Sequence, residues 1–207
     1  MVGEGVLHEC LLSPDVEKVL VVSRRPCGVT DPKLSEIIFE NFFDLSPVES
    51  SLSGYNACFF CLGVSSVGMK KADYEKMTYD LTMEFAKTLA KVNPDMRFCY
   101  ISGAGTDSSE KGRLHWARVK GKTENDLQKL GFSKTYLFRP GILKPTKGLK
   151  NTLGFYKWIG WTMPVFETLM PFMVSSLAQL GQAMIHVVTH GYEKNILEVK
   201  DIKILSK

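Results

Sequence analysis

The alternation of apolar and polar positions predicts an α/β chain, in which short buried strands are separated by amphipathic helices. Runs rich in β-branched and aromatic residues are typical of buried parallel strands. Six such runs lie at residues 19–22, 36–40, 57–62, 97–101, 135–138 and 196–199. Strands that alternate with helices in this way predict a parallel sheet.

Three segments have the helical period. Apolar residues recur every three or four positions between 73 and 92, and Asp73 is placed to cap that helix. A second helix runs from about Trp116 to Leu130 and ends at Gly131. A third follows Ser175 or Ser176, either of which can cap it. The stripe predicted to pack inward on the first helix is Tyr74, Met77, Leu81, Phe85, Leu89 and Val92.

A candidate site lies where the fourth run ends. Ser102 follows the apolar run at the carboxyl end of its strand, which is the edge where open α/β sheets bind ligands. Trp116 and Lys120 are four residues apart, so they share one face of the next helix. Taken singly they are typical of a turn serine, a core tryptophan and a solvated lysine. Only their combination favours a site.

The segments SGAGTDSS and WARVKGKTENDL carry a resemblance to a known family. A strand-end serine followed by Tyr-x-x-x-Lys is the catalytic pattern of the short-chain dehydrogenase/reductase superfamily, and Trp116 stands at the tyrosine position. The chain is most similar to the atypical branch that includes the Tat-interacting-protein-like reductases and epimerase-like bacterial proteins. The resemblance implies a Rossmann-like doubly wound parallel sheet with helices on both faces.

The same resemblance implies a single NAD(P)-binding domain over residues 1–207, in which 145–195 form a small C-terminal lobe on the substrate side. Residues 1–15 resemble the first helix of that domain. Only Gly3 matches the glycine fingerprint, and the first strand and first two glycines are missing, which would leave strand edges unpaired. We expect the chain to be part of a longer protein; the alternative is a genuine start at Met1 and a sheet that closes differently.

Two arginines indicate the cofactor. Arg24 and Arg25 follow the first predicted strand with no acidic residue beside them, which favours NADP over NAD; the alternative is a solvated loop. The resemblance assigns further cofactor contacts along the adenosine and nicotinamide, at Gly3, Asp44, Leu45, Leu62, Gly63, Lys120, Pro140 and Gly141. Without the family, Asp44 or Ser46 would simply cap a helix.

The resemblance implies that Ser102 and Lys120 are catalytic and that Ser65 and Trp116 contact the substrate. An indole N–H is a donor only and does not replace the tyrosine as a proton-transfer group. Two functions therefore stand side by side. One is an NADP-dependent oxidoreductase acting on a small carbonyl or hydroxyl substrate, and the alternative is a non-catalytic NADP-binding regulatory or interaction protein.

The composition indicates which binding partners and which cellular compartment to expect. The net charge of +4 comes from dispersed lysines, which gives no support to nucleic-acid binding. Five cysteines without a disulfide framework indicate a reducing compartment, and we expect the cytoplasm. Cys58 and Cys61 lie within an apolar run, and His186 and His190 lack a third ligand, so no metal site is predicted.

Residues 155–174 are rich in aromatics and methionine. Lys157, Glu167, Pro164 and Pro171 argue against a membrane span. We expect a substrate-side lid or a homodimer surface. Contact with a membrane surface through Trp158 and Trp161 is the less favoured alternative.

Overall fold

The computed structural model describes residues 1–146, 148–149 and 170–207. The helices are α1 (Val2–Leu12), α2 (Lys71–Glu75), α3 (Leu81–Val92), α4 (His115–Leu127), α5 (Leu177–Thr189) and α6 (Val199–Leu205). The strands are β1 (Val19–Ser23), β2 (Leu34–Ile38), β3 (Ala57–Phe60), β4 (Arg97–Ile101), β5 (Lys134–Arg139), β6 (Ile142–Lys144), β7 (Val174–Ser176) and β8 (Ile196–Glu198). The fold is α/β and Rossmann-like, as the sequence predicts.

The strands form three sheets, in the largest of which β3, β4 and β5 run parallel. Strands β3, β4, β5 and β8 lie in that order, with Ala57 opposite Arg97 and Arg97 opposite Lys134. Strands β1 and β2 pair in parallel in a sheet of their own, and β6 pairs with β7. The sheet of β1 and β2 is therefore separate from the sheet whose strand β4 leads to Ser102.

The chain divides into two compact units. The first comprises Met1–Glu40, Pro140–Glu193 and Leu197–Lys207, and the second comprises Asn41–Arg139 and Lys194–Ile196. The expectation of one domain with a lobe at 145–195 stays a prediction, and the aromatic stretch within 150–169 lies outside the described residues.

The first unit is held together by the packing of α1 on α5. Gly5 allows this approach, because a Cβ there would lie 2.9 Å from the Cβ of Leu177. Gly181 does the same on the other helix, where an added Cβ would meet the Glu9 side chain at 2.7 Å. Apolar side chains fill the interface, among them Val6, Leu7, Leu180 and Met184. These two glycines therefore have a packing role.

The second unit has an aromatic core between its sheet and its long helix. The rings of Phe60 and Phe85 meet edge to face at 5.5 Å, and those of Phe98 and Phe132 stack at 4.8 Å. Such geometries add to the stabilisation that burial of the rings gives. The core fixes β3 and β4, whose carboxyl ends carry the candidate site.

The long helix of the second unit contains a π-helical turn. It begins at α2, continues through a π turn at Lys76–Asp80 and ends with α3. Within that turn the Tyr79 hydroxyl donates to Asp126 Oδ2 at 2.8 Å, and Lys122 Nζ donates to the same hydroxyl at 2.9 Å. The turn therefore joins the long helix to α4.

Most predicted elements appear with shifted boundaries. The second strand is Leu34–Ile38 instead of 36–40, and the third ends at Phe60. The Asp73 cap is wrong: the N-cap is Lys70, which makes no side-chain cap bond. Ser176 caps α5 in a full capping box with Gln179, as one of the two predicted alternatives. Among the described residues, no helix has the length and apolar character to span a membrane.

Candidate functional site

Ser102 lies directly after β4 and is tied to the neighbouring strand. Its backbone N–H donates to the Phe138 carbonyl at 2.9 Å, and its side chain is buried. Gly103 and Gly105 follow with φ of 140° and 84°, which L side chains rarely adopt. These glycines let the chain leave the strand abruptly, so the predicted placement of Ser102 at a strand end is what the structure has.

Lys120 reaches the same point from α4. Its Nζ donates to the main-chain carbonyl of Ser102 at 2.5 Å and lies 6.0 Å from the centre of the Tyr100 ring. Burial, only partly offset by the Glu124 carboxylate, lowers the pKa of Lys120 to about 8. The ammonium therefore loses its proton at a lower pH than an exposed lysine does.

Glu124, which the sequence analysis does not single out, lies one turn further along α4. It is fully buried, and its Oε1 accepts the Ser102 hydroxyl at 2.5 Å. The same oxygen accepts Arg139 Nε at 3.0 Å, and Oε2 forms an ion pair with the other end of that guanidinium. Arg139 also donates to Ser108 Oγ at 2.5 Å. One buried carboxylate thus joins β4, α4 and β5.

The arrangement explains why a charge can lie in this core. A buried carboxylate is tolerated when it is paired and its lone pairs are hydrogen-bonded. Glu124 receives a guanidinium in a forked geometry together with a hydroxyl. The Ser102 hydroxyl thus has two acceptors within the core, Glu124 Oε1 at 2.5 Å and the Phe138 carbonyl at 3.2 Å.

The loop between β4 and α4 packs closely on the helix. Asp107 N–H donates to the Ala117 carbonyl at 3.1 Å. A Cβ at Gly121 would lie 1.8 Å from the Asp107 carbonyl oxygen, so only glycine permits this approach. Asn125 fixes the next residue by donating to the Ser108 carbonyl at 2.9 Å. The loop that carries Ser108 is therefore held against α4.

Trp116 lies on the same face of α4 as Lys120, one turn earlier. A Cβ built on Gly105 would lie 3.5 Å from the edge of its indole ring. The tryptophan therefore packs beside the glycine loop that follows β4. Tyr100 is a phenol near Lys120, but burial above all, with the nearby Tyr74 and Glu124, raises its pKa. Tyr100 therefore makes a poor substitute for the missing tyrosine.

The second unit also contains Asp44, Leu45, Leu62 and Gly63, to which the resemblance assigns cofactor contacts, and Ser65, which it assigns to the substrate. Asp44 is exposed and its Oδ1 accepts from the N–H and the hydroxyl of Ser46, which hold its pKa below the usual range. Leu45, by contrast, is buried in the core. Leu62, Gly63 and Ser65 are exposed beyond the end of β3, and a Cβ on Gly63 would meet no atom within 4 Å.

The remaining predicted residues belong to the first unit. Arg24 and Arg25 are exposed after β1, where the Ser23 hydroxyl donates to the Arg25 carbonyl at 2.6 Å. Gly3 is exposed in the first turn of α1. Pro140 is buried, and a Cβ on Gly141 would lie 2.2 Å from the Met173 carbonyl oxygen. Gly141 therefore has a packing role.

The structure thus brings Ser102, Trp116 and Lys120 to one place, and it adds Glu124, Arg139 and Ser108. A glutamate four residues after Lys120 was the signal available in the sequence, since i and i+4 share a helix face. Within the described residues no cluster of three or more histidine, cysteine or acidic side chains could hold a metal ion.

Known proteins resemble the chain over most of its length. It is 28% identical over 202 residues to "Protein FMP52-1, mitochondrial" of Scheffersomyces stipitis, which covers 94% of this chain and 86% of that protein. It is 26% identical over 143 residues to "Protein HTATIP2" of Rattus norvegicus, covering 68% of this chain and 58% of that one. No family model matches the chain.

A solved structure supports the fold. The Bordetella bronchiseptica enzyme WbmF, in complex with NAD+, superposes with a TM-score of 0.66 at 14% identity, over 99% of this chain and 73% of that one. At this identity the likeness concerns the fold alone.

The relatives correct one expectation. The names of several fungal relatives include the word mitochondrial. One of them is the protein of Emericella nidulans, 63% of whose length is covered by the match. These names contradict the cytoplasmic location expected from the cysteines. The likeness to HTATIP2 and to a Rossmann-fold enzyme together confirm the resemblance of this chain to the atypical branch of the short-chain dehydrogenase/reductase superfamily.

Proposed function

We propose that the protein is an NADP-binding oxidoreductase of the short-chain dehydrogenase type, acting on a small carbonyl or hydroxyl substrate. The observation that supports this most directly is Lys120. Its ammonium is held by the Ser102 carbonyl at the carboxyl end of β4, and its pKa is lowered to about 8. A lysine buried at a ligand-binding sheet edge is a typical functional group.

The residues present are compatible with the cofactor. Arg24 and Arg25 are exposed guanidinium groups after β1 and suit the 2′-phosphate of NADP. The open space beside Gly63 would let a ribose approach the backbone after β3. NADPH would supply the hydride. Because Leu45 is buried, we expect it to pack beneath the adenine site without contacting the base.

The hydrogen bonds suggest how the roles are divided. The Ser102 hydroxyl donates its hydrogen bond inside the core, to Glu124 or the Phe138 carbonyl, so towards a substrate it offers lone pairs and not a donor. We assign the donor role to Lys120, whose ammonium carries three protons. Trp116 would line the pocket with an apolar surface beside the glycine loop, and Ser65 would contact the substrate from the loop after β3.

A second function is favoured by two observations. Trp116 takes the place of the proton-transfer tyrosine, and the Ser102 hydroxyl is already bonded to Glu124. Both would suit a protein that binds NADP without turning over a substrate and that acts through a partner. In that case the buried network would serve stability alone.

The test combines cofactor binding with turnover. We would titrate NADPH and NADH into the protein by calorimetry, and follow NADPH oxidation with a panel of aldehydes and quinones. Oxidoreductase function predicts turnover that Lys120→Met reduces by at least about tenfold. Lys129→Met is the matched control, because Lys129 lies just beyond the same helix and pairs on the surface with Asp126.

The outcomes separate the two functions. Turnover lost in Lys120→Met but kept in Lys129→Met supports the enzyme. Equal turnover in both variants removes Lys120 from the mechanism. NADPH binding without turnover of any substrate favours the interaction protein, and binding of neither nucleotide contradicts both functions.

The names of the fungal relatives also favour a compartment. We propose that the protein works in mitochondria. Imaging of the full-length gene product with a C-terminal fluorescent tag would test this, and a signal outside mitochondria would contradict it.

A further inference from the structure

A cavity of about 390 Å³ lies in the first unit, and none of its described lining residues is assigned above to the cofactor or the substrate. Strands β6 and β7, the start of α5 and helix α6 contribute to it. The described residues that line it are Lys144, Val174, Ser175, Ser176, Gln179 and Lys203. The volume is enough for a small organic ligand.

A buried hydroxyl in this lining has no partner. Ser175 is only 2% exposed, and its Oγ makes no hydrogen bond to any residue that the structure describes. Buried hydroxyl groups are otherwise almost always hydrogen-bonded, because burial removes the bonds they make with water. An oxygen atom of a ligand in the cavity would supply the missing acceptor.

The charged side chains among the described lining residues are both cationic. Lys144 at the end of β6 and Lys203 on α6 bring two ammonium groups to the cavity, and no acidic residue is among the described residues that line it. Both lysines also interact within the fold. The described lining therefore favours an anionic ligand.

Helix α5 adds to the positive potential. It has thirteen residues and begins at this wall of the cavity, so its positive dipole end lies beside the ligand space. The capping box already uses the N–H groups of Ser176 and Gln179. The contribution of the helix is therefore its dipole together with the N–H groups between those two residues.

We propose that this cavity binds the phosphate group of a small phosphomonoester. A compact dianion suits two lysine charges, since lysine binds phosphate as a point charge. A phosphate oxygen would also accept the Ser175 hydroxyl. The site lies within the first unit and depends on neither Lys120 nor NADP, so it goes beyond the function proposed above.

The test uses the full chain with glycerol 3-phosphate and inorganic phosphate as probes, followed by NMR titration and by calorimetry. We expect saturable binding that Lys203→Gln weakens at least about tenfold, as for the loss of a charge-assisted hydrogen bond. Lys200→Gln is the matched control, because Lys200 lies on the same helix but outside this lining. An equal loss in both variants would show a general charge effect and overturn the site.

Ser175→Ala provides an independent readout. Without ligand it should leave the free energy of unfolding unchanged or raise it, because the hydroxyl has no partner to lose. With glycerol 3-phosphate it should weaken binding several-fold. Unaltered binding, or a clear loss of stability without ligand, would contradict the assignment of this hydroxyl.

Phosphate groups also occur on lipids, so a second arm uses vesicles of phosphatidylcholine with and without phosphatidic acid. Binding of glycerol 3-phosphate alone assigns a soluble ligand. Binding to the phosphatidic acid vesicles that Lys203→Gln abolishes and Lys200→Gln does not assigns the same site to a lipid headgroup. Absence of saturable binding in both arms overturns the proposal.

Discussion

At the scale of single residues, the candidate site depends on one carboxylate. Glu124 is bonded to the Ser102 hydroxyl and to Arg139, while Lys120 holds the Ser102 carbonyl. The hydroxyl and the carbonyl of Ser102 are thus both bound by side chains of the same helix. A change at Glu124 should therefore affect Ser102, Arg139 and the charge balance of Lys120 together.

Glu124→Gln should destabilise the protein by about 3 kcal/mol, because it leaves the buried Arg139 guanidinium without its counter-charge. Urea unfolding would measure this. Glu49→Gln is the control: Glu49 pairs with Lys91 on the surface at 2.6 Å, and its loss should change stability by less than about 1 kcal/mol. Similar small effects in both variants would show that the buried pair adds little.

The titration of Lys120 gives a pH dependence with a definite sign. Its pKa is about 8 in the folded protein against an ordinary value of 10.5, so between these values the unfolded chain binds more protons. The free energy of unfolding should therefore rise with pH between about 8 and 10.5. Below about pH 8 the buried lysine is charged, and the folded state carries the full cost of burying that charge.

The measurement compares wild type with Lys120→Met from about pH 7.5 to about pH 10 by urea unfolding. The stability of wild type relative to the variant should increase with pH, because other tyrosines, cysteines and lysines cancel in the difference. A difference that stays flat would place the Lys120 pKa near its ordinary value.

At the scale of secondary structure, the site exists because the loop after β4 is pressed onto α4. The contact depends on Gly121, where the Asp107 carbonyl approaches the helix backbone. The loop in turn places Ser108 against Arg139. Glycine is unfavourable inside a helix. At position 121 it is explained by the Asp107 carbonyl, which leaves no room for a side chain.

Gly121→Ala should destabilise the protein by about 1–3 kcal/mol, because the new methyl group displaces the loop. It should also speed proteolysis within residues 103–113. Gly63→Ala is the control for stability, since its Cβ has open space and its change should stay within about 0.5 kcal/mol. A Gly121→Ala protein as stable as wild type would mean that the loop can shift at no cost.

The elements show which parts of the fold could be predicted. The run 97–101 matches β4 to the residue, because a continuous apolar run between polar segments marks a buried strand. The role of Glu124 could not be predicted, since a glutamate on a helix is ordinarily exposed and its partner Arg139 lies fifteen residues further on. Sequence patterns record burial well, but not which charges are buried together.

At the scale of the whole chain, the comparisons and the structure agree on the fold. The α/β order of elements could be predicted, because buried runs alternate with helical periods along the chain. The cavity beside α5 could not, because its described lining comes from three separate segments, at residues 144, 174–179 and 203. The proposed NADP and phosphate sites share no residue, so they can be tested separately.

The π turn at Lys76–Asp80 has a consequence for the comparison of relatives. A π turn holds one more residue than the corresponding α-helical stretch, so it amounts to a single inserted residue within a continuous helix. A relative without that residue would keep an unbroken helix, and its alignment to this chain would show a one-residue gap between 76 and 80. Because Tyr79 bonds to Asp126 from this turn, such a gap should be accompanied by a change of residue at the position of Asp126 or Lys122.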